Sequence, residues 1–259
     1  MKVTVCELPN DWTENPPIIE SLKTHLKDNR TDLLLLPEMP FYSWLSARDT
    51  PDPDLWQKAV DAHDLWISHI EDFKVPVVAG TRPINNKGKC LNTGFIWTRE
   101  TGARNVHEKV YLPDEEGFWE ATWYSRGRGG FDLAQVNGIR IGFLICTELW
   151  FFQHAREYAE KGIHLLLCPR ATPDASAKTW LAGGRSGAWV SGAFCLSSNF
   201  CGPNIPGMDF GGTAWITEPQ GGTVMGRTSP SSPFVSVDID IQEAIAAKKT
   251  YPRYVKPII

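Results

Sequence analysis

The sequence predicts a single α/β domain. Short, bulky, uncharged runs that read as strands buried on both faces alternate with longer helix-patterned segments. No long linker interrupts the alternation, so residues 1–259 are expected to form one domain. With 42% apolar residues, a chain of this length can bury about 70–75% of its unfolded surface, enough for a large core without staples.

The first strand is expected at residues 3–6, in an apolar run too short for a signal peptide. A helix at 17–27 leads to a second strand at 33–36, where Asp32-Leu-Leu-Leu-Leu-Pro37 stops at a proline and delivers Glu38 at its carboxyl end. A long helix is expected at 54–73, with Leu55, Ala59, Ala62, Leu65, Trp66, His69 and Ile70 at helical spacing, and His69 as a satisfied core or interface histidine. Strands follow at 75–79 and 94–98. The stretch from His107 to Glu120 is loop-like and presents Lys109 and, eleven residues later, Glu120 among aromatics. Gly127 to Gly130 lacks a following Lys-Ser/Thr and reads as a turn ahead of a strand pair, not a phosphate loop. The remaining strands are expected at 139–145, 164–168, 194–198, 213–217 and 234–239, and helices at 151–161 and 185–192.

Gly142-Phe-Leu-Ile-Cys146-Thr-Glu-Leu-Trp150 places a cysteine where a core strand ends and a helical pattern begins. That is the sheet edge at which ligands of α/β proteins bind. An unpaired cysteine is also commonly a small buried hydrophobe, and ordinary solvated side chains would account for Lys109 or Glu120 taken singly.

Together the three segments resemble the nitrilase, or carbon-nitrogen hydrolase, superfamily, whose catalytic trio is Glu, Lys and Cys in that chain order. The likeness covers nearly the whole chain and continues through Pro169, Arg185-Ser-Gly-Ala-Trp189, Ser198-Asn199, Gly211-Gly212 and Pro219-Gln-Gly221. The resemblance implies a four-layer α-β-β-α sandwich that pairs into a homodimer or a higher homo-oligomer. It also implies Cys146 as nucleophile, Glu38 as general base and acid, Lys109 as stabiliser of the tetrahedral intermediate, and Glu120 as the residue orienting them.

The chemistry needs these residue types. A free thiol has a pKa of about 8.5, so a base must take its proton for attack at neutral pH. The adduct's oxyanion then needs donors, which the Lys109 ammonium and the Thr147 backbone N–H would supply. Glu148, two places after the cysteine, matches an Asp or Glu of the family and is expected to tie down the nucleophile turn.

Two departures bear on the site. Many relatives read Phe-Pro-Glu shortly after the cysteine, whereas this chain has Phe151-Phe152-Gln153. Leu149 and Trp150 stand where carbamoyl-D-amino-acid hydrolases carry a carboxylate-gripping arginine pair, which disfavours a ureido acid unless Arg170 supplies the grip; a surface salt bridge is the other reading of Arg170. The Lys-to-Glu spacing is similar to the carbamoylputrescine amidase branch, whose residues after the cysteine differ. Trp119 and Trp150, with Trp44 and Trp123, are expected either to line a pocket for a flat or apolar acyl group or to pack in the core.

The expected activity is hydrolysis of a small linear amide or carbamoyl compound through a cysteine thioester, with release of ammonia. A nitrile substrate is the alternative, disfavoured because Thr147-Glu148 follows the cysteine where true nitrilases read Trp-Glu. A non-catalytic binding member of the family is the other alternative. A net charge of −4 and the lack of a basic stripe argue against nucleic acid. The uncharged stretches are too short for a bilayer span. Scattered histidines, with no Cys-x-x-Cys, argue against a metal, and no cofactor is implied. Six cysteines, several in apolar runs, favour reduced core thiols and a cytoplasmic location.

Overall fold

Side chains alternate across a strand, and the leucines of residues 33–36 accordingly serve two cores. Leu33 and Leu35 enter one apolar cluster, Leu34 and Leu36 another. The second leucine run divides in the same way, with Leu165 and Leu167 sharing the cluster of Leu33 and Leu35, and Leu166 and Cys168 facing a third. The shared cluster is the layer between two sheets, and each sheet is buried on both faces.

The computed structural model describes residues 1–256. Its first half runs β1 (Lys2–Pro9), α1 (Pro16–Asn29), β2 (Leu33–Leu35), α2 (Pro53–Ser68), β3 (Val77–Asn86), β4 (Lys89–Thr98), β5 (Gly102–Glu108) and the short α3 (Glu120–Trp123). The second half runs β6 (Ala134–Val136), β7 (Ile139–Phe143), α4 (Phe152–Lys161), β8 (Leu165–Leu167), α5 (Ala177–Ser191), β9 (Phe194–Ser197), β10 (Asn199–Ile205), β11 (Met208–Phe210), β12 (Trp215–Thr217), β13 (Val224–Arg227), β14 (Phe234–Asp238) and α6 (Ile241–Ala247). One sheet has the order β11-β10-β1-β2-β3-β4-β5, with β14 also paired to β1, and the other has the order β13-β12-β9-β8-β7-β6.

Leu22 and Leu26 of α1 and Trp66 of α2 cover the outer face of the first sheet. Ala155 and Tyr158 of α4 and Ala188 of α5 cover that of the second. The result is the four-layer α-β-β-α sandwich. In both sheets the central strands β1-β2-β3 and β7-β8-β9 are parallel, which gathers their carboxyl ends into one region.

Several elements differ from expectation. The long second helix stops at Ser68, and a separate 3-10 turn spans Ile70–Phe73. Its buried face carries Trp56, Ala59 and His63, while Leu65 is 60% exposed and His69 lies at the exposed helix end. His63, not His69, is therefore the core histidine. Its Nδ1 donates to the Ala59 carbonyl at 2.7 Å, which leaves Nε2 to accept the Phe41 N–H at 3.2 Å. Burial lowers its pKa to about 3.

α5 begins eight residues earlier than the expected 185–192, at Ala177. Gly183, Gly184 and Gly187 read as breakers in sequence, yet they allow close packing of this helix. A Cβ at Gly184 would lie 2.3 Å from Trp215 Nε1, and one at Gly183 2.8 Å from Trp150. Also unanticipated are β5, β6, β10, β11, β13 and α6, the last capped by Asp240, whose side chain accepts the Gln242 N–H. Cys6, Cys90, Cys146, Cys168, Cys195 and Cys201 are free thiols.

Candidate active site

The carboxyl ends of β2 and β7 deliver the first two residues. Past β2, the Glu38 N–H donates to the Arg170 carbonyl at 3.2 Å, and Met39, at φ +47°, donates its N–H to Thr81 Oγ1 at 2.8 Å. Because Arg170 follows β8, this bond fastens one sheet to the other at the site. Past β7, Cys146 opens a 3-10 turn, Cys146–Trp150, with φ +48°. A left-handed conformation at a non-glycine residue costs on the order of 1–3 kcal/mol and persists only where surrounding bonds impose it. Here the Cys146 N–H donates to the Pro169 carbonyl at 3.0 Å. Glu148 clamps the same turn, accepting the Ile145 N–H at 2.9 Å and the Val110 N–H at 2.7 Å. The expected structural role of Glu148 takes this form, a carboxylate joining the cysteine turn to the lysine segment.

Lys109 follows directly on β5. Its N–H donates to the Asn92 carbonyl at 2.9 Å, and its carbonyl accepts the Gly127 N–H at 3.0 Å. Only glycine fits at 127, since a Cβ there would lie 2.6 Å from the Glu108 carbonyl oxygen. The Gly127–Gly130 turn thus holds the lysine backbone.

The Lys109 ammonium donates to Glu38 Oε1 at 2.6 Å and to both Glu120 oxygens, Oε1 at 2.8 Å and Oε2 at 2.6 Å. Asn92 Nδ2 also donates to Glu38 Oε1, at 2.7 Å. Glu38, Lys109 and Glu120 are 0% exposed and Cys146 is 3% exposed. Glu38 Oε2 is buried without a hydrogen-bond partner among the described residues, a bare acceptor on a carboxylate whose other oxygen is fully engaged.

The electrostatics follow from this burial. Desolvation disfavours the ammonium, but Glu120 and Glu38 overcome it and hold Lys109 well above the ordinary lysine range. Burial pushes the Glu120 carboxyl up against the pull of Lys109. Burial, then Glu38, pushes the Cys146 thiol up, so it rests protonated. A protonated thiol, a carboxylate with a free oxygen and a fixed ammonium form a set suited to base-assisted nucleophilic attack and oxyanion stabilisation.

The other expected site residues are placed variously. Thr147 is half-buried in the first turn after the nucleophile. Trp119 donates its backbone N–H to Ser46 and lines a groove of about 1050 Å³ with Arg48, Asp49 and Glu116. Trp150 is 37% exposed and packs on Trp180. Trp44 and Trp123 are core residues whose indoles donate to the Gly117 and Arg48 carbonyls at 3.0 and 2.7 Å. The four tryptophans therefore do not share one wall.

Arg170 is no surface ion pair. It is 1% exposed, donates to Ser197 Oγ, Thr172 Oγ1 and the Thr213 carbonyl, and lies 4.0 Å over Trp215. With these donors committed inside, it braces the segment after β8 and is not presented as a carboxylate grip. Asn92 and His107 are the residues that sequence reading missed. Asn92 sits among apolar residues of a strand, and His107 lies two places before Lys109, on the same strand face by period.

Among the described residues, no group of three or more His, Cys, Asp or Glu could hold a metal ion, and no helix is long and apolar enough to cross a membrane. The chain is 26% identical over 178 residues to a citrullinase of Francisella tularensis, a match covering 66% of this chain and 61% of that one. It is 24% identical to a 2-oxoglutaramate amidase of Bacillus subtilis, over 87% of this chain and 85% of that one. The fold superposes on the crystal structure of a carbon-nitrogen hydrolase from Helicobacter pylori with a TM-score of 0.85, at 19% identity, covering 98% of this chain and 94% of that one. The carbon-nitrogen hydrolase family profile matches residues 2–249, and the chain belongs to that family.

Proposed function

We propose that the protein hydrolyses a non-peptide C–N bond in a small linear amide or carbamoyl compound, through a thioester on Cys146, with release of ammonia. The observation that carries this reading is the wholly buried Lys109 ammonium bonded to both Glu38 and Glu120, next to a thiol kept protonated on a strained turn.

Glu38, through its free Oε2, takes the thiol proton as Sγ attacks the carbonyl carbon. The oxyanion receives the Lys109 ammonium and the Thr147 N–H. Because Nζ bonds both oxygens of Glu120, it can turn one donor to the oxyanion and still keep a bond to that carboxylate. Glu38 returns its proton to the departing nitrogen, the C–N bond breaks and ammonia leaves. Water, deprotonated by Glu38, attacks the thioester; the acid departs and the proton passes back to Sγ. The sum is amide plus water giving acid plus ammonia.

With Leu149 and Trp150 at the arginine-pair places and Arg170 turned inward, the reading favours an acyl group without a carboxylate near the reacting carbon. The same reading takes the protein as a cytoplasmic homodimer, an assembly that light scattering in solution tests. The direct test of function is ammonia release from aliphatic and aromatic amides, ω-amides, carbamoyl amines, ureido acids including citrulline, and nitriles. Turnover of one amide or carbamoyl class, lost in Cys146→Ala, supports the reading; turnover of nitriles alone overturns it.

A further inference from the structure

His107 stands on β5 two residues before Lys109 and is 4% exposed. Both ring nitrogens face acceptors: Nε2 lies 2.7 Å from Glu148 Oε2 and Nδ1 3.3 Å from the Gly130 carbonyl. A neutral imidazole has one N–H and can serve only one of them, whereas the imidazolium serves both. Glu148 is 0% exposed, and its other partners are the Ile145 and Val110 amides, one directly before the nucleophile and one directly after the lysine. His107 is thus the side-chain partner of the carboxylate that bonds both the Cys146 turn and the Lys109 segment.

We propose that His107, carried as an imidazolium, is a positioning residue for the hydrolysis: it orients Glu148 by hydrogen bonding, and through Glu148 it holds the Cys146 turn and the Lys109 segment in one relative geometry. The inference rests on the functional reading above.

The surroundings fit a cation. Glu148 faces the ring from the nucleophile turn and Glu108 from its own strand. From the segment after Gly127, Arg128 and Asp132 share with it a cavity of about 230 Å³, also lined by Thr93 and Asn105. Arg128 opposes the charge, but its backbone N–H and guanidinium are turned to Glu108. The Phe131 ring covers His107 at 5.0 Å. Burial disfavours the cation, yet Glu148 and the other acceptors hold the pKa above the ordinary histidine value. The sign follows: the imidazolium and its two bonds are present below that raised pKa and are lost as pH rises through it, leaving one acceptor without a donor.

Two variants and one spectrum test this. His107→Gln can donate to Glu148 but does not titrate, while His107→Leu removes donor and charge. The Leu variant should lose kcat by about 10- to 100-fold with KM within about threefold, the effect of a lost hydrogen bond to a charged group. The unmodified protein should show an alkaline fall in kcat; the Gln variant should recover most of the Leu variant's loss and lack that fall. Independently of any substrate, imidazole nitrogen-15 NMR of the unmodified protein near neutral pH should show both His107 nitrogens protonated. A neutral His107 in that spectrum overturns the inference, as does an unchanged alkaline limb in His107→Gln or an unaltered kcat in folded His107→Leu. Because the spectrum needs no turnover, failure of the functional reading and failure of this one are told apart.

Discussion

Replacing Lys109 by methionine keeps most of the side-chain volume and removes one buried charge with three hydrogen bonds of 2.6–2.8 Å. Glu38 and Glu120, both 0% exposed, are left facing each other without a cation. Removing one partner of a buried ion pair costs about 3–5 kcal/mol because the other charge stays desolvated. The penalty depends on pH, since each pH unit is worth about 1.4 kcal/mol per proton. In the variant, Glu120, whose carboxyl burial already pushes up, loses the cation that opposes the rise, so the folded protein binds its proton more tightly than the unfolded chain does. The folded state then carries more protons, so stability is highest below the unfolded carboxyl value and falls as pH rises through the folded one. Urea unfolding followed by tryptophan fluorescence should therefore show a deficit of about 3–5 kcal/mol near pH 8, shrinking by about 1–3 kcal/mol near pH 5.5. Turnover should fall on the order of a hundredfold or more, as for loss of an oxyanion donor. A variant within about 1 kcal/mol of the parent at both pH values, or one that keeps its turnover, would refute the reasoning.

Three further outcomes are expected. Asn92→Ala removes a 2.7 Å bond to Glu38 Oε1 and should lower kcat by about 10- to 100-fold and stability by about 1–3 kcal/mol, less than Lys109→Met near pH 8, measured by steady-state kinetics beside urea unfolding. Gly184→Ala drives a methyl to 2.3 Å from Trp215 Nε1 and should cost about 1–3 kcal/mol or more by urea unfolding; because Trp215 supports Arg170, turnover should fall as well. His63, with a folded pKa of about 3, binds fewer protons folded than unfolded, so its contribution is present above the unfolded value of about 6.5 and lost as pH falls below it. His63→Gln should narrow the stability difference between about pH 7.5 and pH 5, and an unchanged difference would count against a buried His63 held neutral.

Much of the fold was legible because burial on both faces leaves short continuous apolar runs. Leu33–Leu35, Leu165–Leu167 and Phe194–Ser197 all lie inside expected strands. What escaped was structure whose cause is remote in sequence. The glycines of α5 look like breakers until Trp215 and Trp150 are seen against them. β5 carries polar residues over much of its length and is a strand because it pairs with β4. The helical stripe through Leu65 and His69 fitted one face by spacing, but the neighbouring face, with Trp56 and His63, meets the sheet. At the candidate site, Glu38, Lys109, Glu120 and Cys146 were singled out because their order resembles the family's trio and second glutamate. The residues holding them, Asn92 and His107, were not, since their roles depend on which atoms they reach across the sandwich.

The central claim is that Cys146 carries the acyl group. Intact-protein mass spectrometry during turnover of the best amide, with acid quenching, tests it most directly. Expected is a mass increase equal to the acyl group, mapped to the peptide bearing Cys146, absent in Cys146→Ala and lost when substrate is exhausted. Ammonia released at full rate by Cys146→Ala, or an acyl group mapped to another residue, would contradict it.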